Sequence, residues 1–205
     1  MLYLIATPIG NLKDITLRAI ETLKEADVIL AEDTRHTGLL LKHFEIPHKP
    51  MISLYDEVET AKTQDILESA KHLKVVLVSD AGTPLISDPG YKLVREAIKQ
   101  EVKVEVVPGP SAVLAALVLS GLPPDKFTFW GFPLKNKIRE AEGTNIYFVS
   151  PHKLLKFLKV LKEDKEIVIC REMTKIYEER WQGKVCEALV KFKKPRGEFV
   201  LLWHN

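Results

Sequence analysis

The chain has 205 residues, 46% of them hydrophobic, which is ample for a sizeable core and predicts one or two globular domains. Its 30 Lys and Arg against 28 Asp and Glu leave a formal charge of +2, so no global field announces nucleic acid and any RNA contact must come from local patches. No apolar run approaches the roughly 20 residues that cross a bilayer, and the start, MLYLIATPIG, lacks the basic leader of a signal peptide, so a cytoplasmic protein with no membrane partner is expected.

Apolar runs of strand length alternate with helical patterns through the first half, predicting strands near 2–6, 27–31, 50–54, 74–79 and 103–107 in a mainly parallel sheet flanked by helices. Thr16 is placed to cap a helix with Leu17, Ile20 and Leu23 on its core face, and Tyr91, Val94 and Ile98 form a similar stripe. VVLV (75–78) is the run expected of a strand covered on both faces, and it opens into SDAGTPLISDPG (79–90), with two Asp, two Gly and two Pro. Three more strands end in comparable loops: TPIGN (7–11), AEDTR (31–35) and PGPS (108–111). One such loop is as readily a simple turn. Four of them at the carboxyl ends of neighbouring strands predict a shared ligand cleft.

Pro108-Gly109-Pro110 breaks regular structure, and Ser111 then stands as the cap of AVLAALVLSGL, a helix apolar nearly all round and therefore expected to be buried. A domain boundary is placed near residue 110, giving an N-terminal domain over 1–110 and a C-terminal one over 111–205. Beyond it, strands are predicted near 126–132, 144–149, 166–171, 175–182 and 197–203, with a helix over 151–162 bearing Leu154, Leu155, Leu158 and Leu161. Fewer helices per strand predict a mixed sheet. Cys170 and Cys186 form no CxxC and sit in no His-rich setting, so reduced thiols and no metal site are expected.

GxGxxG, which lets a backbone approach a pyrophosphate, is missing after the first strand, where only Gly10 stands, and GxxxxGK[ST] is absent as well. Both omissions argue against a dinucleotide or a P-loop nucleotide. A smaller, zwitterionic nucleoside such as S-adenosylmethionine suits carboxylates and turn backbones better, and requires no metal.

TPIGNLKDITLRA (7–19), AEDTR (31–35), SDAGTPLISDPG (79–90), VPGPSA (107–112), SPHK (150–153), REMTK (171–175) and RGEF (196–199) follow one another in an order that resembles the ribosomal RNA small-subunit methyltransferase I family. This is the cytidine 2'-O-methyltransferase branch of the tetrapyrrole methylase superfamily. The resemblance implies two α/β domains with S-adenosylmethionine held in the cleft between them, usually in a homodimer acting on 16S ribosomal RNA or the small subunit. Carried onto this sequence, it implies cofactor contacts at Pro8, Gly10, Asp80, Gly82, Thr83, Ser111 and Ala112, with Pro151, Met173, Arg196, Gly197 and Glu198 from the second domain. Gly10 and Gly82 serve equally as positive-φ positions, Ser111 as a helix cap and Met173 as core filler.

A ribose hydroxyl is a poor nucleophile and must be aligned and relieved of its proton. Lys175, His152, Asp33 and Glu32 are the residues weighed for that role, each at a motif loop. The alternatives are a Lys175 pair with Glu172 or Glu178, a helix-capping His152 and an Asp33 pair with Arg35. Arg18, Arg35, Lys153, Arg171 and Lys175 are the cations expected to meet RNA, with outer patches at Lys135, Lys137 and Arg139 and at KFKKPR (191–196). Competing functions are methylation of a tetrapyrrole or other small acceptor, a metal-dependent phosphohydrolase using Asp33, Asp80 and Asp88, and a non-catalytic nucleotide- or RNA-binding module.

Overall fold

A computed structural model describes residues 1–54, 56–133 and 137–205, and the chain divides into two units, Met1–Ser111 and Ala112–Asn205. In the first, β1 (Leu2–Ile5), β2 (Val28–Ala31), β3 (Met51–Ser53), β4 (Val75–Val78) and β5 (Val104–Val107) alternate with α1 (Leu17–Glu25), α2 (Thr34–His43), α3 (Asp56–His72) and α4 (Tyr91–Lys99). The strands pair in parallel in the order β3-β2-β4-β1-β5. Residues of β4 are buried throughout, because Val75 and Leu77 enter one core cluster while Val76 and Val78 enter the other. Parallel pairing puts every strand's carboxyl end on one side, with Ile5 in register with both Val78 and Val107. The motif loops therefore leave the sheet together.

Two helix faces differ from expectation. In α4 the buried residues are Leu93 and Ala97, whereas Tyr91 and Ile98 are 61% and 65% exposed. In α1, Ala19 and Leu23 are buried and Leu17 is exposed. The small alanine lets each helix lie close against the sheet, so the face follows the Ala-containing stripe instead of the largest side chains.

The second unit carries α5 (Ala112–Ser120), β6 (Phe127–Phe129), β7 (Thr144–Val149), α6 (Pro151–Leu158), β8 (Glu166–Arg171), β9 (Glu179–Lys184), α7 (Val185–Lys191) and β10 (Phe199–His204). Its sheet, β6-β7-β10-β8-β9, is mixed, with β6 and β7 parallel and the other pairs antiparallel. Helix α5 packs on this sheet through Val113, Ala116 and Leu117, but Val118 is 80% exposed, so the helix is not buried all round as its composition suggested. Helix α6 stops at Leu158, although Leu161 beyond it still reaches the core.

The strand expected over 175–182 begins only at Glu179, because Glu172 and Thr174 both take positive φ and turn the chain first. Helix α7 was not expected. It is short and buries only Val185 and Ala188. Cys170 is buried and its thiol is pushed up to about 11, chiefly by burial. No helix among the described residues is long and apolar enough to cross a membrane.

Candidate functional site

Three motif loops of the first unit are tied to one another by hydrogen bonds. Thr7 and Gly82 exchange backbone bonds, Thr7 N to Gly82 O at 2.9 Å and Gly82 N to Thr7 O at 3.0 Å. The buried Thr7 hydroxyl donates to Ser79 O at 3.0 Å, and the Ser79 hydroxyl donates to Gly82 O at 3.2 Å. Thr83 then donates to Pro110 O at 3.1 Å, joining the loop after β4 to the one after β5. Gly82 has φ +83, and a Cβ there would lie 3.2 Å from Ile9 Cγ2 and 3.8 Å from Pro110 O, so both its conformation and its neighbours favour glycine. Gly10 is exposed and has no positive φ, so conformation alone gives no reason for its glycine. Pro8 is buried between these bonds, and Ser111 and Ala112 are half-buried where β5 has ended and α5 begins.

Asp80 stands half-buried at the mouth of β4, and its Oδ1 accepts from Asp33 N at 3.1 Å. The carboxylate thus has a structural duty as well as its place in the loop cluster. Asp33 caps α2 through Arg35 N and takes the Arg35 guanidinium in a two-point pair, at 3.0 and 2.7 Å. That guanidinium holds the Asp33 carboxyl well below the usual carboxylate range. As a base Asp33 is therefore a poor choice, and the alternative pairing with Arg35 is the one realised. Glu32 is exposed at the end of β2.

Asp88, which the sequence offers only as a metal ligand, has a carboxyl pKa displaced by its surroundings. Burial first, then repulsion from Glu32, push its carboxyl up to about 6, Asp80 adding to the rise and a hydrogen bond with Ser79 holding it back. A second Asp in one loop with no basic neighbour in sequence was the available signal. Among the described residues no group of three or more His, Cys, Asp or Glu is placed to hold a metal ion, so Asp33, Asp80 and Asp88 do not form the set that a phosphohydrolase would need.

In the second unit, REMTK and RGEF meet although 20 residues or more separate them. Glu172 N donates to Glu198 O at 3.0 Å, and Glu198 N returns a bond to Glu172 Oε1 at 2.8 Å. Lys175 Nζ pairs with Glu172 at 3.2 Å and Glu198 at 2.8 Å. Burial pulls the Lys175 pKa down, but the bonds to Glu198 and Glu172 outweigh it and the net direction is up. An amine held this firmly as ammonium is not a general base.

Met173 is buried among Val113, Cys170 and Val200, as core filler. Pro151 opens α6, Ser150 is its cap, and His152 and Lys153 are exposed on its first turn, so His152 is not the cap.

The expected RNA cations are mostly engaged within the protein. Arg18 donates to Val106 O at 3.4 Å and lies 3.8 Å from Glu105; Arg35 is held by Asp33. Arg171 pairs with Glu179 at 3.1 Å and donates to Arg196 O at 3.3 Å. Lys191 of the outer patch also pairs with Glu179, at 2.8 Å. Lys153 takes part in none of the ion pairs among the described residues, and Lys135 lies outside them.

The model of the tetrapyrrole (corrin/porphyrin) methylases matches residues 1–189. A protein of Thermotoga maritima named ribosomal RNA small subunit methyltransferase I is 44% identical over 215 residues, covering 98% of this chain and 96% of that one. Among solved structures, diphthine synthase matches with a TM-score of 0.77 at 18% identity over 98% of this chain and 88% of its own. A uroporphyrin-III C-methyltransferase of Thermus thermophilus, solved with S-adenosylhomocysteine, matches at 0.69 and 20% over 100% and 97%. With two parallel-to-mixed α/β units, motif loops gathered at the strand ends and a relative similar over nearly its whole length, the chain belongs to the tetrapyrrole methylase family and, within it, to the ribosomal RNA small subunit methyltransferase I branch.

Proposed function

We propose that this chain is an S-adenosylmethionine-dependent methyltransferase that methylates the ribose 2'-oxygen of a cytidine in small-subunit ribosomal RNA. The observation that carries the reading is the near full-length similarity to a protein named ribosomal RNA small subunit methyltransferase I, and the cytidine 2'-oxygen follows from the resemblance of the motifs to that family. The first unit fits the cofactor chemically: Asp80 has lone pairs beyond the one used by Asp33 N, and the turn at Gly82–Thr83 beside it is held in place by its bonds to Thr7 and Pro110. S-adenosylmethionine supplies an electrophilic methyl on a sulfonium. The chain's part is to bind and orient, and to take the hydroxyl proton. Of the residues weighed as base, Asp33 and Lys175 are locked in ion pairs, and the exposed Glu32 and His152 are the remaining candidates.

The test is incubation with labelled S-adenosylmethionine and unmodified small subunits, followed by nucleoside mass spectrometry. The expected product is 2'-O-methylcytidine. A methyl on a base, or inert subunits beside a labelled tetrapyrrole, would overturn the assignment. A net charge of only +2 favours an assembled particle over free RNA, since the particle presents a preorganised target and more phosphate contacts.

The same reading includes a homodimer. Supporting it, Val118 on α5, and Ile176 and Tyr177 after β8, are large apolar side chains 80%, 95% and 73% exposed, which a second copy would cover. Light scattering is expected to give twice the 23.3 kDa chain mass; a monomer mass across micromolar concentrations would defeat this.

A further inference from the structure

We propose that Glu172 is a positioning residue for the acceptor: docked on the 197–198 backbone, its carboxylate holds the Lys175 ammonium as a fixed positive charge that meets a phosphate of RNA. The proposal rests on the reading that the acceptor is ribosomal RNA. The backbone around Lys175 is strained. Glu172 has φ 50 and the β-branched Thr174 has φ 64, conformations that cost roughly 1 kcal/mol or more per residue and persist only where surroundings enforce them. The enforcement is visible. Lys175 N donates to Glu172 O at 3.0 Å, Glu178 N to Lys175 O at 3.1 Å, and the Glu178 carboxylate accepts Thr174 N at 2.5 Å.

The Glu172 side chain reaches the 196–198 turn because Gly197, at φ +87, has no Cβ. One built there would stand 2.5 to 2.7 Å from Glu172 Cγ, Cδ and Oε1. Two remote motifs thus make one platform around Lys175.

A tie between backbone segments would need only an acceptor oxygen. Glutamine at 172 keeps that oxygen for Glu198 N; only the Lys175 contact needs a charge. The two carboxylates on Lys175 also differ. The Glu172 side chain is 19% exposed and anchored to backbone, while that of Glu198 is 74% exposed. Glu198 is the partner that an incoming phosphate oxygen replaces.

The test is binding of the full chain to unmodified small subunits across a potassium chloride series, with S-adenosylhomocysteine affinity and melting temperature measured on each variant. Lys175→Ala is expected to reduce the slope of log affinity against log salt by about 0.7–0.9, one phosphate contact. Glu172→Gln should reduce it similarly, the double variant no further, with cofactor affinity held. Glu198→Gln should tighten subunit binding several-fold, and provides a reading even if the variants at 172 fold poorly.

A wild-type slope in Glu172→Gln, additive losses in the double variant, or unchanged or weaker binding in Glu198→Gln would each overturn the proposal. Wild-type protein that neither binds nor methylates subunits would instead remove the underlying reading.

Discussion

Asp80→Ala will weaken S-adenosylmethionine binding by about 10- to 30-fold, roughly 1.4–2 kcal/mol, the size of a lost hydrogen bond to a charged group. The side chain sits at the mouth of the fully buried β4 with one oxygen on Asp33 N, so the alanine variant loses a structural bond as well. Asp80→Asn separates the two effects. Its amide oxygen still accepts from Asp33 N, so melting should stay close to wild type, while cofactor affinity recovers only in part because the charge is gone. Calorimetry on both variants decides the matter: undiminished affinity in a folded Asp80→Ala protein removes this residue from the site.

Asp88→Asn will make the protein more stable at neutral pH. The unfolded chain releases this proton near 3.8 and the native one near 6, so between those values the native state holds the extra proton and its stability falls as pH rises. Above about 6 the loss is complete, and after allowance for solvent screening it amounts to about 1–2 kcal/mol. Asparagine never ionises. Urea unfolding should therefore show the variant ahead of wild type at pH 7.5, with the gap closing as pH falls to about 4. A gap that does not change with pH would mean that Asp88 ionises in the folded protein as it does in the unfolded one. The expected result matters for function, because a carboxylate kept beside Glu32 and Asp80 at a cost in stability marks a site shaped for something other than folding.

What could be read from sequence followed the strength of each physical signal. The run VVLV and its loop were legible because a strand buried on both faces leaves an uninterrupted apolar string bounded by turn formers. The βαβ alternation was legible for the same reason. Helix faces were less so: Tyr91 and Ile98 outweigh Ala97 by size, yet the alanine faces the sheet.

Within the site, the turns at Gly82 and Gly197 were legible through their glycines, but the partners of charged groups were not. Asp33 and Arg35 are two residues apart and their pairing could be named only as an alternative. Glu172 and Glu198 are joined by chain reversal, which no local pattern reports. The positive φ at Glu172 and Thr174, residue types that rarely adopt it, is why the strand expected from 175 starts four residues later.

Arg18, expected to reach for RNA, has another consequence where it lies. Strand β5 is bonded on one side only, and β3 closes the opposite margin of the same sheet. Unpaired strand margins template the addition of foreign strands. Arg18 covers the Val106 carbonyl of β5 at 3.4 Å, and Lys62 covers the Ser53 carbonyl of β3 at 3.4 Å. Each margin thus has an outward carbonyl already occupied by a side chain of its own unit, an acceptor that an added strand would have to win back before it could pair there.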